Sequence, residues 1–312
     1  MPLPPEIHLR TGRMKLPQGS LFWHEGGKPH PQAATVVLLH GSWYDSTQWL
    51  SALPTWAQTH HCLAPDLLGF GESSRPGAYS VTLQVEVLAS WLAALRVGPC
   101  HLVGHSLGAW VAAQYALSYP DQVKTLTAIA PEGVSDRSSR GRWRRDRWLV
   151  APWSPLPLVL PWLGKSPWAQ GLRQRRRRLR QSPAACQLLF RRRRSAIQAE
   201  LLQQRLGDWQ GPTLVVEPTA ADPLTQRQGQ TWLRLLTAPY HELVAPADGP
   251  LGLDEQALIA VWHRLPMPQS TLPSQRWPAG RTAPGGSNPG AGTANPAPLA
   301  PPSAVETVPP RG

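Results

Sequence analysis

The sequence predicts an α/β protein: a mostly parallel central sheet with helices on both faces, one inserted helical segment, and a polar tail. Three observations carry this. Apolar runs of strand length alternate with stretches of helical spacing from residue 35 to 131 and again from 207 to 266, the alternation stops between 132 and 206, and large apolar residues almost disappear after Pro266. Strands that alternate with helices are joined by right-handed crossovers, which leave parallel strands covered on both sides. The expected division is a core built from 1–131 and 207–266, a lid over 132–206, and a tail over 267–312.

Taken in order, Glu6 to Leu16 and Leu21 to Glu25 read as a hairpin at a sheet edge. Thr35 to His40 is an apolar run suited to a strand buried on both faces. A helix is expected from Ser46 to Gln58 and a strand from His61 to Pro65. Leu83, Val87, Leu88, Trp91, Leu92 and Leu95 recur at helical spacing within Val81 to Leu95, and Cys100 to Gly104 is the next strand. Helix Leu107 to Ser118 and strand Val123 to Ala130 complete the first part; after the lid come strand Thr213 to Val216, helix Leu224 to Leu236, strand His241 to Ala245 and helix Asp254 to Leu265. The tail is Pro-, Gly-, Ala-, Ser- and Thr-rich, so it cannot bury enough surface to offset ordering entropy and is expected to be disordered.

Composition narrows the classes. With 312 residues and 41% hydrophobic content the chain can bury a full core. Cys62, Cys100 and Cys186 are odd in number and widely spaced, which fits neither a disulfide framework nor a zinc site; buried reduced thiols are expected. No signal-peptide core precedes Arg13 and no uninterrupted apolar stretch of about 18 residues follows, so the expected location is the cytoplasm. The net charge of +12 is local: Arg137 to Arg194 holds sixteen Arg and one Lys against Asp146, or +16, while the rest has 14 basic and 18 acidic residues, or −4.

The chemistry centres on Gly104-His105-Ser106-Leu107-Gly108, a G-x-S-x-G pattern between a buried strand and a helix. Side chains two positions either side of the serine would collide in so sharp a turn, hence the glycines. The turn would lift Ser106 Oγ to the positive end of a helix, where the Leu107 N–H can bind an oxyanion. The alternative is an ordinary strand-to-helix turn. Two further stretches, His40-Gly41-Ser42-Trp43 and Asp66-Leu-Leu-Gly69-Phe-Gly71-Glu-Ser73, follow the preceding strands. With these three motifs in this order, the chain resembles the α/β-hydrolase superfamily over about residues 6 to 265, the lid excepted. The resemblance implies a nucleophile at Ser106, a second oxyanion donor at the Ser42 amide, Trp43 beside the ligand, a structural Asp66 turn, and no metal or cofactor. Epoxide hydrolases and haloalkane dehalogenases are disfavoured, because those relatives carry Asp at the elbow.

The family's acid maps onto Asp222, with helix capping ahead of Leu224 as the competing reading; Glu132 and Asp136 are alternatives and Glu217 a weaker one. The family's histidine is missing. Where the pattern G-H-x-x-x-x-E is expected, the chain reads Ala245-Pro-Ala-Asp248-Gly249-Pro250-Leu-Gly-Leu-Asp254-Glu255. His61, His101 and His241 begin their strands, at the end opposite Ser106, and the lid has no histidine. His40 and His105 are near the nucleophile but sit on motifs that turn them away. Two readings follow: a serine hydrolase of an apolar ester or related acyl bond, assisted by Asp248 or a repositioned His40, or a degenerate scaffold that binds an apolar ligand without turning it over.

The lid interleaves Trp143, Trp148, Trp153, Trp162 and Trp168 with Arg142 to Arg147, Arg175 to Arg180 and Arg191 to Arg194. Such segments suit the surface of an anionic bilayer. The competing reading is a lid whose arginines are solvated, and nucleic acid is disfavoured because no binding module is recognisable. Substrate identity and oligomeric state are not legible in the sequence.

Overall fold

The computed structural model describes residues 9–29, 34–135, 137–151, 154–155, 166–219, 221–237, 239–247, 254–262 and 306–307. The strands are β1 (Arg10–Leu16), β2 (Gly19–Gly26), β3 (Val36–Leu39), β4 (Cys62–Pro65), β5 (Cys100–His105), β6 (Val123–Ile129), β7 (Thr213–Pro218), β8 (Tyr240–Val244) and β9 (Glu306–Thr307). They form one sheet in the order β8-β7-β6-β5-β3-β4-β2-β1-β9. From β4 to β8 neighbouring strands are parallel, whereas β1 and β2 form an antiparallel hairpin that joins β4. This is the α/β architecture that the alternation predicts.

Each long helix has a local reason. Helix α1 (Val81–Ala94) is capped by Ser80, whose side chain accepts from the Leu83 N–H. Helix α2 (Leu107–Ser118) starts from the serine turn and buries nine of its twelve residues. Helices α3 (Arg137–Val150) and α4 (Pro167–Gln181) belong to the inserted segment, with Ser166 capping α4. Helix α5 (Pro223–Leu235) begins with proline, whose missing N–H is harmless in a first turn, and α6 (Glu255–Trp262) closes the core.

Alternation along the strands sends side chains to two layers. On one face Val37, Leu39, Leu102, Leu126, Ala128 and Val215 pack in a cluster that includes α1, α2 and Trp232 of α5. On the other, Val36, Leu38, Val103, Ile129, Leu214 and Val216 pack on Trp49, Trp56, Leu258 and Trp262. The first cluster also takes in Leu149, Leu179, Leu188, Leu189 and Phe190, so the inserted segment is docked on the sheet's own core.

One expectation needs correction. The helix expected over 46–58 is a 3-10 turn at Ser46–Trp49 and a separate helical turn at Leu53–Trp56. Pro54 is the cause: inside a continuous helix it would lack a hydrogen bond and clash with the carbonyl four residues earlier. In the tail expected to be disordered, Glu306–Thr307 pairs antiparallel with Gly12 and Arg13 of β1. A sheet edge presents unpaired N–H and C=O groups, which an extended segment of almost any composition can satisfy. Most of the apolar run Trp148 to Leu163 lies outside the described residues, as do Asp136 and Trp153. All three cysteines are buried free thiols; burial pushes those of Cys62 and Cys100 up to about 12 and that of Cys186 up to about 11.

Candidate active site

Ser106 stands between β5 and α2 with φ 53 and ψ −111, a left-handed conformation for a residue with a side chain. Such strain persists only where the surroundings enforce it. Here the Ser106 N–H donates to Ile129 O at 2.9 Å, and its carbonyl accepts from Ala109 and Trp110 in α2. The flanking glycines are steric requirements: a Cβ on Gly104 would lie 2.5 Å from Ala109 N, and one on Gly108 would lie 2.3 Å from Leu39 O. Leu107 is the first residue of α2, so its N–H has no intrahelical acceptor.

The loop after β3 supplies the opposite wall. Ser42 is buried, and its Oγ lies 3.5 Å from Ser106 Oγ. The same hydroxyl donates to Glu132 Oε2 at 3.1 Å. Glu132 is brought there from the end of β6, where its N–H donates to Ser106 O at 3.3 Å and its carbonyl accepts from Trp232 Nε1 at 3.2 Å. The site therefore joins Ser106, Ser42 and Glu132. Trp43 is partly buried against the main core cluster.

Asp66 and Ser73 tie the glycine-rich turn that backs this loop. Asp66 is buried and accepts from Ser46 N at 2.6 Å and Glu72 N at 2.7 Å; Ser73 Oγ donates to Asp66 O and accepts from Phe22 N. Gly71 has φ 46, and a Cβ there would fall 2.0 Å from the Asp66 carboxylate. One residue that no spacing motif marks is Gln48: its carbonyl accepts from Gly41 N at 2.8 Å and its amide donates to His105 Nδ1 at 2.9 Å. It fixes both the Ser42 loop and the residue before Ser106.

Among the described residues the histidines named here are committed elsewhere. His40 is fully buried; its Nδ1–H donates to Gly41 O at 3.0 Å, and its Nε2 accepts from Leu67 N at 3.0 Å. Both ring nitrogens are thus used by backbone, and burial lowers its pKa. The expectation that a repositioned His40 assists the serine is corrected by these bonds. Burial, helped by the adjacent His40, pushes His105 down to about 4. His24 bonds Ser46, His61 bonds Thr35 and Glu25, His101 bonds Thr125, and His241 bonds Glu217.

Asp222, the expected triad acid, is exposed at the N-terminus of α5. Its Oδ1 accepts from Leu224 N at 3.0 Å and its Oδ2 from Thr225 Oγ1 at 2.7 Å, the geometry of a helix cap. Glu217 is buried against Gly229 and His241. Asp248 lies outside the described residues. Among the described residues no group of His, Cys, Asp and Glu is arranged to hold a metal ion.

Sequence and structure comparisons place this geometry in a family. The model of the alpha/beta hydrolase family matches residues 36–268, and the chain belongs to that family. Over 107 residues, 33% of this chain and 30% of the relative, it is 39% identical to the 1-acylglycerol-3-phosphate O-acyltransferase ABHD5 of Rattus norvegicus. Over 135 residues, 41% of this chain and 48% of the relative, it is 33% identical to a 2-hydroxy-6-oxo-2,4-heptadienoate hydrolase of Pseudomonas putida. The chain matches less than half the length of either curated relative. Among solved structures, the 2-hydroxy-6-oxo-6-phenylhexa-2,4-dienoate hydrolase of Rhodococcus sp. strain RHA1 superposes with a TM-score of 0.62 at 17% identity, covering 82% of this chain and 98% of that one. That similarity is one of fold.

Proposed function

We propose that the protein is a serine hydrolase that cleaves an ester or related acyl bond of an apolar substrate through Ser106. The observation that carries this reading is the left-handed Ser106 at the start of α2, with a second hydroxyl 3.5 Å away. A backbone strained into this shape has no evident packing role, since the turn's glycines serve only to admit it. In the proposed reaction Ser106 Oγ adds to the acyl carbon, and the Leu107 and Ser42 amides hold the oxyanion. The alcohol leaves with a proton, and water then cleaves the acyl-Ser106 bond to regenerate the serine. The acyl transfer for which the ABHD5 relative is named supports an acyl substrate. So do the apolar residues of the inserted segment, which join the same core cluster that Trp43 packs against.

A fluorophosphonate probe tests the reading. Wild-type protein is expected to gain one covalent adduct by intact mass, and Ser106→Ala none. Folded wild type that gains no adduct counts against hydrolysis and in favour of a ligand-binding scaffold.

A second reading concerns the lid and rests on its exposed surface. Trp168 is 66% exposed and Trp148 42%, while Arg177, Arg178, Arg180, Arg191, Arg193 and Arg194 are also exposed. No described helix is long and apolar enough to cross a membrane. Exposed indoles beside arginines suit the headgroup layer of an anionic bilayer, where each basic residue contributes about 1 kcal/mol. The protein is expected to co-sediment with phosphatidylserine vesicles and not with phosphatidylcholine vesicles, and Trp168→Ala with Arg177→Ala and Arg178→Ala to weaken this by at least tenfold. Equal sedimentation with both lipids would leave the arginines as a solvated face.

A further inference from the structure

Four observations converge on Glu132. First, the carboxylate receives a hydrogen bond at 3.1 Å from a hydroxyl that itself sits 3.5 Å from the nucleophile oxygen. Second, its main chain is pinned on both sides, by Ser106 O and by Trp232 Nε1. Third, the chain leaving β6 takes two left-handed residues, Ala130 at φ 44 and Gly133 at φ 98, which bracket Glu132. Fourth, Gly133 lies against the Trp110 ring, where a Cβ would approach within 2.4 Å, and its carbonyl accepts from Leu202 N. A strained turn held at both ends costs stability and directs one carboxylate at one hydroxyl.

We infer that Ser42 and Glu132 replace the absent histidine as a two-step proton relay: Ser42 Oγ takes the Ser106 proton while passing its own to Glu132, which acts as a positioning and proton-accepting residue. The inference rests on the proposed hydrolytic role of Ser106. In acylation the bond from Ser106 Oγ to the acyl carbon forms, the Ser106 proton moves to Ser42 Oγ, and the Ser42 proton moves to Glu132 Oε2. When the carbon–oxygen bond to the leaving group breaks, the same path runs backward and the proton leaves with the alcohol. Water enters deacylation in the alcohol's place, so charge and protons balance without another reactant. The 3.5 Å separation is long for a bond between hydroxyls, and such contacts tighten when substrate is bound. A carboxylate is a weaker base than imidazole, so a slow hydrolase is the expected product of this exchange.

The test compares fluorophosphonate labelling rates of wild type, Glu132→Gln, Ser42→Ala, Ser42→Thr and Ser106→Ala between about pH 6.5 and pH 9.5. General-base help of this kind is worth a factor of about 10² or more. Glu132→Gln and Ser42→Ala are each expected to slow labelling about 100-fold, with no further loss when combined, and Ser42→Thr to restore much of the rate. The decisive readout is the pH slope. If the relay carries the proton, the wild-type labelling rate should change little across this range. Glu132→Gln should speed up about tenfold per pH unit, because hydroxide must then remove the proton.

A Glu132→Gln protein that labels as fast as wild type, or more slowly with the wild-type pH slope, overturns the relay and leaves the Ser106 reading standing. Folded wild type that does not label overturns both.

Discussion

Acidification from about pH 8 to about pH 4.5 is expected to remove about 5 kcal/mol of stability, a large share of the roughly 5 to 15 kcal/mol that a folded domain possesses. His101 and His105 carry the effect. Burial pushes each from the ordinary 6.5 down to about 4; His60 and Lys124 add to it at His101, and His40 at His105. A depressed folded pKa means that the unfolded chain binds the proton first, so the stabilisation is complete above 6.5 and is lost as pH falls toward 4. Integrated over that interval, each histidine accounts for roughly 2 to 3 kcal/mol. Burial lowers His40 in the same direction, and since His40 and His105 repel when both are charged, the second proton is harder to add than the first. Further down, Glu25 adds to the loss: the His61 hydrogen bond holds its pKa below the usual value, so that contribution is present above the carboxylate range and disappears below it. Urea unfolding at about pH 8, 6 and 4.5 reads the result directly. The midpoint should fall steeply below pH 6.5, and His101→Gln should flatten the slope by about one proton. An unchanged midpoint at pH 4.5 would mean that these rings are not held neutral.

The parts of this molecule that were legible in the sequence are those governed by local sterics and apolar periodicity. Helix Leu107–Ser118 coincides with its expected limits, because a glycine-bounded serine turn admits only one start. Strands β3 to β8 lie where short apolar runs place them, while Pro54 divides the expected helix at 46–58. Asp222 shows where a local pattern stops being decisive. An Asp ahead of Pro-Leu-Thr has the same local pattern whether it serves a triad or caps a helix, and its bonds to Leu224 and Thr225 are those of a cap. The approach of Glu132 to Ser42 depends on backbone turns at Ala130 and Gly133 and on an indole from α5, 100 residues away. Neither periodicity nor a motif encodes such a meeting. Gln48 is illegible for the same reason: its partners, Gly41 and His105, stand on two different strand ends.

Arg175→Ala is expected to destabilise the inserted segment by about 3 kcal/mol, and Asp146→Asn by clearly less. Asp146 is the one acidic residue between Arg137 and Arg194, and it is fully buried between α3 and α4. Arg175 grips it with two bonds, Nε to Oδ1 at 2.6 Å and Nη2 to Oδ2 at 2.8 Å. The two ends differ in exposure: the Arg175 side chain is 43% exposed and that of Asp146 not at all. Removing the arginine strands a carboxylate without water, whereas removing the carboxylate lets the guanidinium turn outward and hydrate. Neighbouring arginines serve the same docking in another way, since Arg147 donates to Phe190 O and Arg176 to Leu149 O, satisfying carbonyls that the helix ends leave open. The inserted segment's charge is therefore partly internal mortar, and only the outward arginines remain for a membrane or for solvent. Amide hydrogen exchange in α4 should separate the effects. Arg175→Ala should accelerate exchange there more than a hundredfold while β3 and β5 stay protected, and Arg175→Met with Asp146→Leu should recover most of the protection. Equal acceleration in the sheet would show that the lid unfolds only with the whole domain, and a harmless Arg175→Ala would mean that other arginines already neutralise Asp146.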